Sequence, residues 1–184
     1  MGNIEFLKEG LKNLKTVGTI SRSSKALCKG MIKHINFEEA DFIVELGAGD
    51  GVITTHILKH MKKDARLLVF EVNKNFCEIL HAIDDDRLIV IEDSAEHVGK
   101  YIQEQGVDHI DYVISALPFV VFPKEVALQI IGECSKYLKQ SGLYIQVHYS
   151  LLVKKLYQSV FGNVDVNFIP FNVPPAFVFV SQKY

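Results

Sequence analysis

The sequence predicts an α/β fold, a mostly parallel sheet with helices on both faces. Three features carry that expectation. Short apolar runs alternate with helical stretches from Phe42 to Phe161, the pattern of repeated strand–helix units. The first run enters a turn with glycine at alternate positions, Gly47-Ala48-Gly49-Asp50-Gly51, ahead of a helix. The last two runs, Val164–Ile169 and Phe177–Gln182, flank Asn172-Val173-Pro174-Pro175-Ala176. That connection is short enough for an antiparallel hairpin at one edge. In sheets of this kind ligands bind beyond the carboxyl ends of the strands.

The elements follow in order. Residues 3–16 read as an amphipathic helix: Ile4, Leu7, Leu11 and Leu14 recur at three- and four-residue steps, with Lys8, Lys12 and Lys15 off the stripe. Such a helix either packs on the domain or lies in a lipid interface with its lysines toward anionic headgroups. Ser21, Ser23 or Ser24 can cap a helix from Lys25 to Ile35, with Leu27, Met31 and Ile35 inward. Strand one is the branched run Phe42-Ile43-Val44, leading through Glu45 and Leu46 into the glycine turn and a helix from Val52. Then come strand Arg66–Val72, helix Phe76–Ala82, strand Arg87–Glu92 and helix Ala95–Gln103. Strand His109–Ala116, helix Lys124–Lys139, strand Leu143–Tyr149 and helix Leu151–Phe161 complete the alternation.

For 184 residues one domain is expected, with residues 1–35 as a basic helical extension. A chain 48% hydrophobic and 23% charged is globular rather than disordered. Its net charge of −2 gives no global case for nucleic acid. The charge is uneven, however. Residues 1–33 hold seven Lys/Arg against Glu5 and Glu9, a formal +5 that leaves −7 on the remainder. A basic end on an acidic body points to an anionic partner for that end. Cys28, Cys77 and Cys134 are scattered, with neither metal nor disulfide spacing, as in a reducing cytosol. No apolar run is long enough to span a bilayer and no secretory leader is visible. The expectation is a cytoplasmic protein, soluble or peripheral on the inner membrane face.

The glycine turn can be an ordinary strand-to-helix connection. Its acids argue for more. A phosphate prefers positive potential at a helix N-terminus, whereas Glu45 and Asp50 suit a cationic or hydroxyl-bearing ligand. Here the stretch resembles the first motif, E/DxGxGxG, of the class I S-adenosylmethionine-dependent methyltransferases, which have a Rossmann-like fold. The resemblance implies S-adenosyl-L-methionine as cofactor and seven strands with only the last reversed. Further acids fall at strand ends. Glu71, with Val72 beside it, stands where an acid can accept hydrogen bonds from ribose hydroxyls. Asp93 suits the adenine amino group, with Ser94 and Ala95 next to it; Asp93 and Ser94 can also simply cap the following helix. The cofactor set is therefore Glu45, Gly47, Ala48, Gly49, Gly51, Glu71, Val72, Asp93, Ser94, Ala95 and Ser115.

Strand four ends in Ser115-Ala116-Leu117-Pro118-Phe119, where the methyl acceptor is expected. Pro118 fixes the backbone and Phe119 offers a face to the incoming group; a plain proline turn is the alternative. The loop is similar to the NLPY/NPPY loop of adenine and rRNA methyltransferases, with Ser115 in place of the Asn or Asp. Across nearly its whole length the chain resembles the bacterial phospholipid N-methyltransferases. The basic N-terminal helix, SRSSKAL, VELGAGDG, SALPF, HYS and NVPPAFVF carry that resemblance. It implies stepwise methylation of phosphatidylethanolamine, with residues 3–17 on an anionic membrane surface and no metal. Tyr149 or His148 can orient the amine or assist its deprotonation, and Tyr149 is favoured, with an interior structural Tyr as the alternative. Tyr149 and Phe119 can hold the methylated cation by cation–π contact. Two other readings compete: an rRNA adenine methyltransferase, whose usual C-terminal RNA domain has no counterpart before Tyr184, and a non-catalytic cofactor-binding protein of the same fold.

Overall fold

A computed structural model describes residues 23–184. The amphipathic helix expected at 3–16 lies outside the described residues. The first helix, α1 (Lys25–Ile32), begins where Ser24 Oγ accepts the Leu27 N–H at 3.1 Å. Leu27, Cys28 and Met31 are fully buried. Each such side chain contributes roughly 1.5–3 kcal/mol. Residues 23–35, expected within an extension, are thus part of the core.

Beyond α1 the order is β1 (Phe42–Leu46), α2 (Val52–His60), β2 (Arg66–Phe70), α3 (Lys74–His81) and β3 (Leu88–Ile91). Then come α4 (Val98–Glu104), β4 (Ile110–Ser115), α5 (Lys124–Tyr137), β5 (Leu138–His148), α6 (Lys154–Phe161), β6 (Asp165–Ile169) and β7 (Ala176–Gln182). The seven strands form one sheet in the order β3-β2-β1-β4-β5-β7-β6. Strands β1 to β5 pair in parallel, and β7 runs antiparallel to both β5 and β6. Only β7 is reversed, as the resemblance implied. The last hairpin inserts β7 between β5 and β6, leaving β6 at the edge.

Both faces of the sheet are covered. Phe42, Val44 and Leu46 of β1 point to one cluster with Val98, Ile102, Ile130, Ile131 and Tyr157, from α4, α5 and α6. Ile43 points to the other, with Leu27, Met31, Ile53, Ile57 and Leu80, from α1, α2 and α3. Alternation along a strand sends neighbouring side chains to opposite faces, so a continuous apolar run serves both.

Two boundaries differ from expectation. The helix expected at Ala95–Gln103 opens as a 3-10 turn, Ala95–His97, before α4. Strand β5 starts at Leu138, not Leu143, directly after α5. Ser141 takes a positive φ of 65°, and the β4–β5 register shifts between Ile110 and Tyr112, so Lys139-Gln140-Ser141-Gly142 is an irregular strand segment instead of a separate turn.

Candidate active site

The carboxyl ends of β3, β2, β1, β4 and β5 lie in a row, each followed by polar groups. After β1, Gly47, Gly49 and Gly51 all have positive φ, at 73°, 58° and 76°. At Gly47 a side chain is also excluded by Leu117, whose Cδ2 would lie 2.8 Å from a Cβ. Gly49 faces open space, with nothing within 4 Å of a Cβ position, so a ligand can approach its backbone. Its N–H donates to Glu71 Oε2 at 2.8 Å. The N–H groups of Gly47 and of the buried Ala48 donate to the Phe70 carbonyl at 2.8 and 3.3 Å, holding the turn against β2. Glu71 Oε1 accepts the N–H groups of Val72 and Asn73, each at 2.8 Å. Three backbone donors therefore fix this carboxylate.

Glu45 is in a different situation. It is 1% exposed, and its Oε2 accepts the Thr54 hydroxyl at 2.7 Å. Its Oε1 is buried with no hydrogen-bond partner. Burial pushes its pKa up to about 8, although the Thr54 bond opposes the rise. A carboxyl group kept half-satisfied in the interior is a common mark of a ligand site.

At β3, Asp93 Oδ1 accepts the Ser94 N–H at 2.7 Å. Its Oδ2 accepts the Tyr101 hydroxyl at 2.9 Å and lies 3.0 Å from His97 Nδ1. Burial raises the Asp93 pKa, but these hydrogen bonds outweigh it and hold the carboxyl below its usual range. Ser94 caps the turn at the buried Ala95 by accepting the Glu96 N–H at 3.3 Å.

On the other side of β1, Ala116 N–H donates to the Leu46 carbonyl at 2.9 Å, tying the β4 loop to the glycine turn. Ser115 is fully buried, and its Oγ accepts the Leu117 N–H at 3.3 Å. The Leu117 carbonyl accepts both Gln146 Nε2 and Phe119 N–H, each at 2.9 Å. The loop is therefore held by its own hydrogen bonds. Pro118, at φ −82°, opens a short 3-10 turn that rolls Phe119 into the core. Phe119 was expected to face an incoming group; instead it is 1% exposed, edge-on to Phe122 with ring centres 5.4 Å apart. Val120 takes the outward position.

The end of β5 separates its two titratable residues. His148 turns into the core, with Nε2 2.9 Å from the Tyr157 hydroxyl and its ring 4.7 Å from that of Phe179. Burial lowers its pKa to about 4. Tyr149 points outward, 39% exposed, with the Asn172 side chain near its hydroxyl. Partial burial raises its pKa. Asn172, buried in the β6–β7 turn, accepts the Ser24 N–H at 3.0 Å and donates to the Pro174 carbonyl at 2.8 Å. Among the described residues no three His, Cys, Asp or Glu side chains cluster to hold a metal.

Residues 22–95 match the model of the ribosomal RNA adenine dimethylase family. An ornithine lipid N-methyltransferase from Singulisphaera acidiphila is 30% identical over 174 residues, covering 93% of this chain and 91% of its own. The chain belongs to that S-adenosylmethionine-dependent methyltransferase family. Its cofactor is S-adenosylmethionine. Solved structures agree on the fold. The O-methyltransferase of Bacillus cereus in complex with SAH matches 97% of this chain and 91% of its own at a TM-score of 0.69 and 13% identity. Precorrin-6y C5,15-methyltransferase from Geobacter metallireducens matches 87% and 90% at 0.68 and 12%. The architecture is the Rossmann-like class I methyltransferase fold.

Three side chains of this methyltransferase's site were missed in the sequence. Thr54 supports Glu45 from one turn into α2. Gln146 holds the β4 loop from inside β5, and its Oε1 is buried without a partner. A lone glutamine in the apolar run Leu143–His148 was the available signal. Asn172 accepts from Ser24 across 148 positions of sequence, a link no local pattern encodes.

Proposed function

We propose that this methyltransferase methylates the amine of a membrane aminolipid, phosphatidylethanolamine in the first instance. The observation that carries the reading is the similarity, over 93% of the chain, to an enzyme named for N-methylation of a lipid. That similarity spans both the cofactor half and the acceptor half. The family-model match to the rRNA adenine dimethylases covers residues 22–95, which end before β4.

The residues present fit the cofactor. A buried acid with an open oxygen, Glu45, suits a cationic amino group. The space at Gly49, reached from Gly47, Ala48 and Gly51, admits a ligand against the backbone. Glu71, beside Val72, would accept the ribose hydroxyls, and Asp93, with Ser94 and Ala95, the adenine amino group. When bound, S-adenosylmethionine supplies an electrophilic methyl group on a sulfonium.

The protein's own task is to align a neutral amine and keep water out, and positioning of this kind contributes most of the rate. Ser115 and Gln146 hold the Leu117-Pro118 backbone in one shape. His148 is ruled out as a base by burial and a pKa of about 4. The raised pKa of Tyr149 keeps its hydroxyl protonated, so it orients the amine by hydrogen bonding and the ammonium proton leaves to solvent. Its ring can then hold the methylated cation. The test is transfer of radiolabelled methyl from S-adenosylmethionine to phosphatidylethanolamine or ornithine lipid in detergent micelles, with rRNA as comparison. Label in lipid is expected. Label in rRNA alone would replace this reading with the adenine one.

A further inference from the structure

Large apolar side chains are exposed around the acceptor end of the site. Leu152 is 81% exposed, Phe171 82% and Val173 78%, with Leu151 and Val120 about half exposed. They come from three loops: after β4, after β5, and between β6 and β7. Because β6 is parallel to β5, all three open at the carboxyl edge, beside Tyr149. Asn172 of the β6–β7 turn lies beside Tyr149 at the end of β5.

Lysines flank this rim. Lys154 and Lys155 open α6 two residues after Leu152, and Lys25 follows Ser24, which is bonded to Asn172. On the β4 side Lys124 stands beside Glu125, while Lys136, Lys139 and Lys183 lie at the other end of the sheet. Asp165 begins β6 and so lies at the opposite end of the sheet.

We propose that this rim is the surface by which the protein enters an anionic lipid bilayer, with Leu152, Phe171 and Val173 in the acyl boundary and Lys154 and Lys155 on lipid phosphates. The proposal rests on the lipid reading above and deepens it: the acceptor opening itself would face the membrane, so that an aminolipid headgroup need not leave the bilayer fully. Bare aliphatic tips flanked by lysines match a lipid interface.

The experiment is co-sedimentation of the full chain with vesicles of phosphatidylcholine alone or with phosphatidylglycerol. Leu152→Asp combined with Phe171→Asp should lower vesicle affinity at least about tenfold. Lys154→Glu with Lys155→Glu should lower it about tenfold on phosphatidylglycerol vesicles only, and high salt should mimic it. Calorimetric binding of S-adenosylhomocysteine should be unchanged in both, which verifies folding. The proposal is overturned if wild type does not sediment, or if the rim variants sediment like wild type. It is also overturned if the rim proves to hold a dimer that the apolar variant dissolves, or if only deletion of residues 1–22 removes binding. The substrate reading fails separately: rim-dependent sedimentation without methyl transfer to lipid would sink the acceptor and leave the rim.

Discussion

Asp111 and Glu45 are buried acids on adjacent strands, and they face opposite fates. At the amino end of the sheet, Asp111 Oδ2 accepts the N–H groups of Asp41 and Phe42 at 2.8 Å each, and Oδ1 pairs with Lys139. Burial raises its pKa, but these partners outweigh that and hold it below the usual range. At the carboxyl end, Glu45 has one hydroxyl donor, one empty oxygen and a pKa near 8. Both are buried acids, but Asp111 has charged and backbone partners and Glu45 has a single hydroxyl. The fully partnered one fastens β1 to β4, and the half-partnered one keeps a buried oxygen with no hydrogen bond.

That contrast can be broken by substitution. Asp111→Ala strands two backbone donors and a lysine, and should cost roughly 3–5 kcal/mol in urea unfolding without altering cofactor affinity. Glu45 should show the opposite sign. Its folded pKa lies above the unfolded value, so its stability is fully present below about pH 4.5 and is lost as pH rises through about 8. Relative to Glu45→Gln, the unliganded wild type should therefore lose on the order of 4 kcal/mol between pH 5 and 8. A flat difference would mean that Glu45 is satisfied after all.

His148 provides a control at the same end of the sheet as Glu45. Its folded pKa is depressed to about 4, so its contribution is present above about 6.5 and is lost as pH falls toward 4. His148→Phe should flatten roughly 3 kcal/mol of that acid limb and leave the Glu45 limb intact. The smallest effect is expected at Tyr149→Phe. Loss of the half-exposed hydroxyl should cost about 1 kcal/mol or less in stability. Turnover on aminolipid should fall several-fold, about 1 kcal/mol in the barrier, with cofactor affinity unchanged.

The sequence showed the alternating architecture and the row of polar strand ends because both are written in local patterns. Glu45, the glycines, Glu71 and Asp93 sit at fixed distances from apolar runs, and topology then aligns them. What it concealed depends on contacts distant in the chain. Phe119 reads as a surface aromatic after a proline until the 3-10 turn rolls it inward against Phe122. The start of β5 was hidden because Gln140, Ser141 and Gly142 look like a turn, while Leu138 before them pairs with Ile110 of β4 and Ser141 and Gly142 bond to Lys183. The emptiness of Glu45 Oε1 is likewise invisible in sequence, since it depends on what fails to reach it.

The most direct measurement is calorimetric titration of S-adenosylmethionine into wild type, Glu45→Gln and Asp111→Asn. The account predicts that Glu45→Gln melts no lower than wild type at pH 8 yet binds at least about tenfold more weakly, a loss of 1.4 kcal/mol or more. It predicts that Asp111→Asn melts lower yet binds as wild type does. Wild-type affinity in Glu45→Gln would contradict the assignment of the half-partnered acid to the ligand.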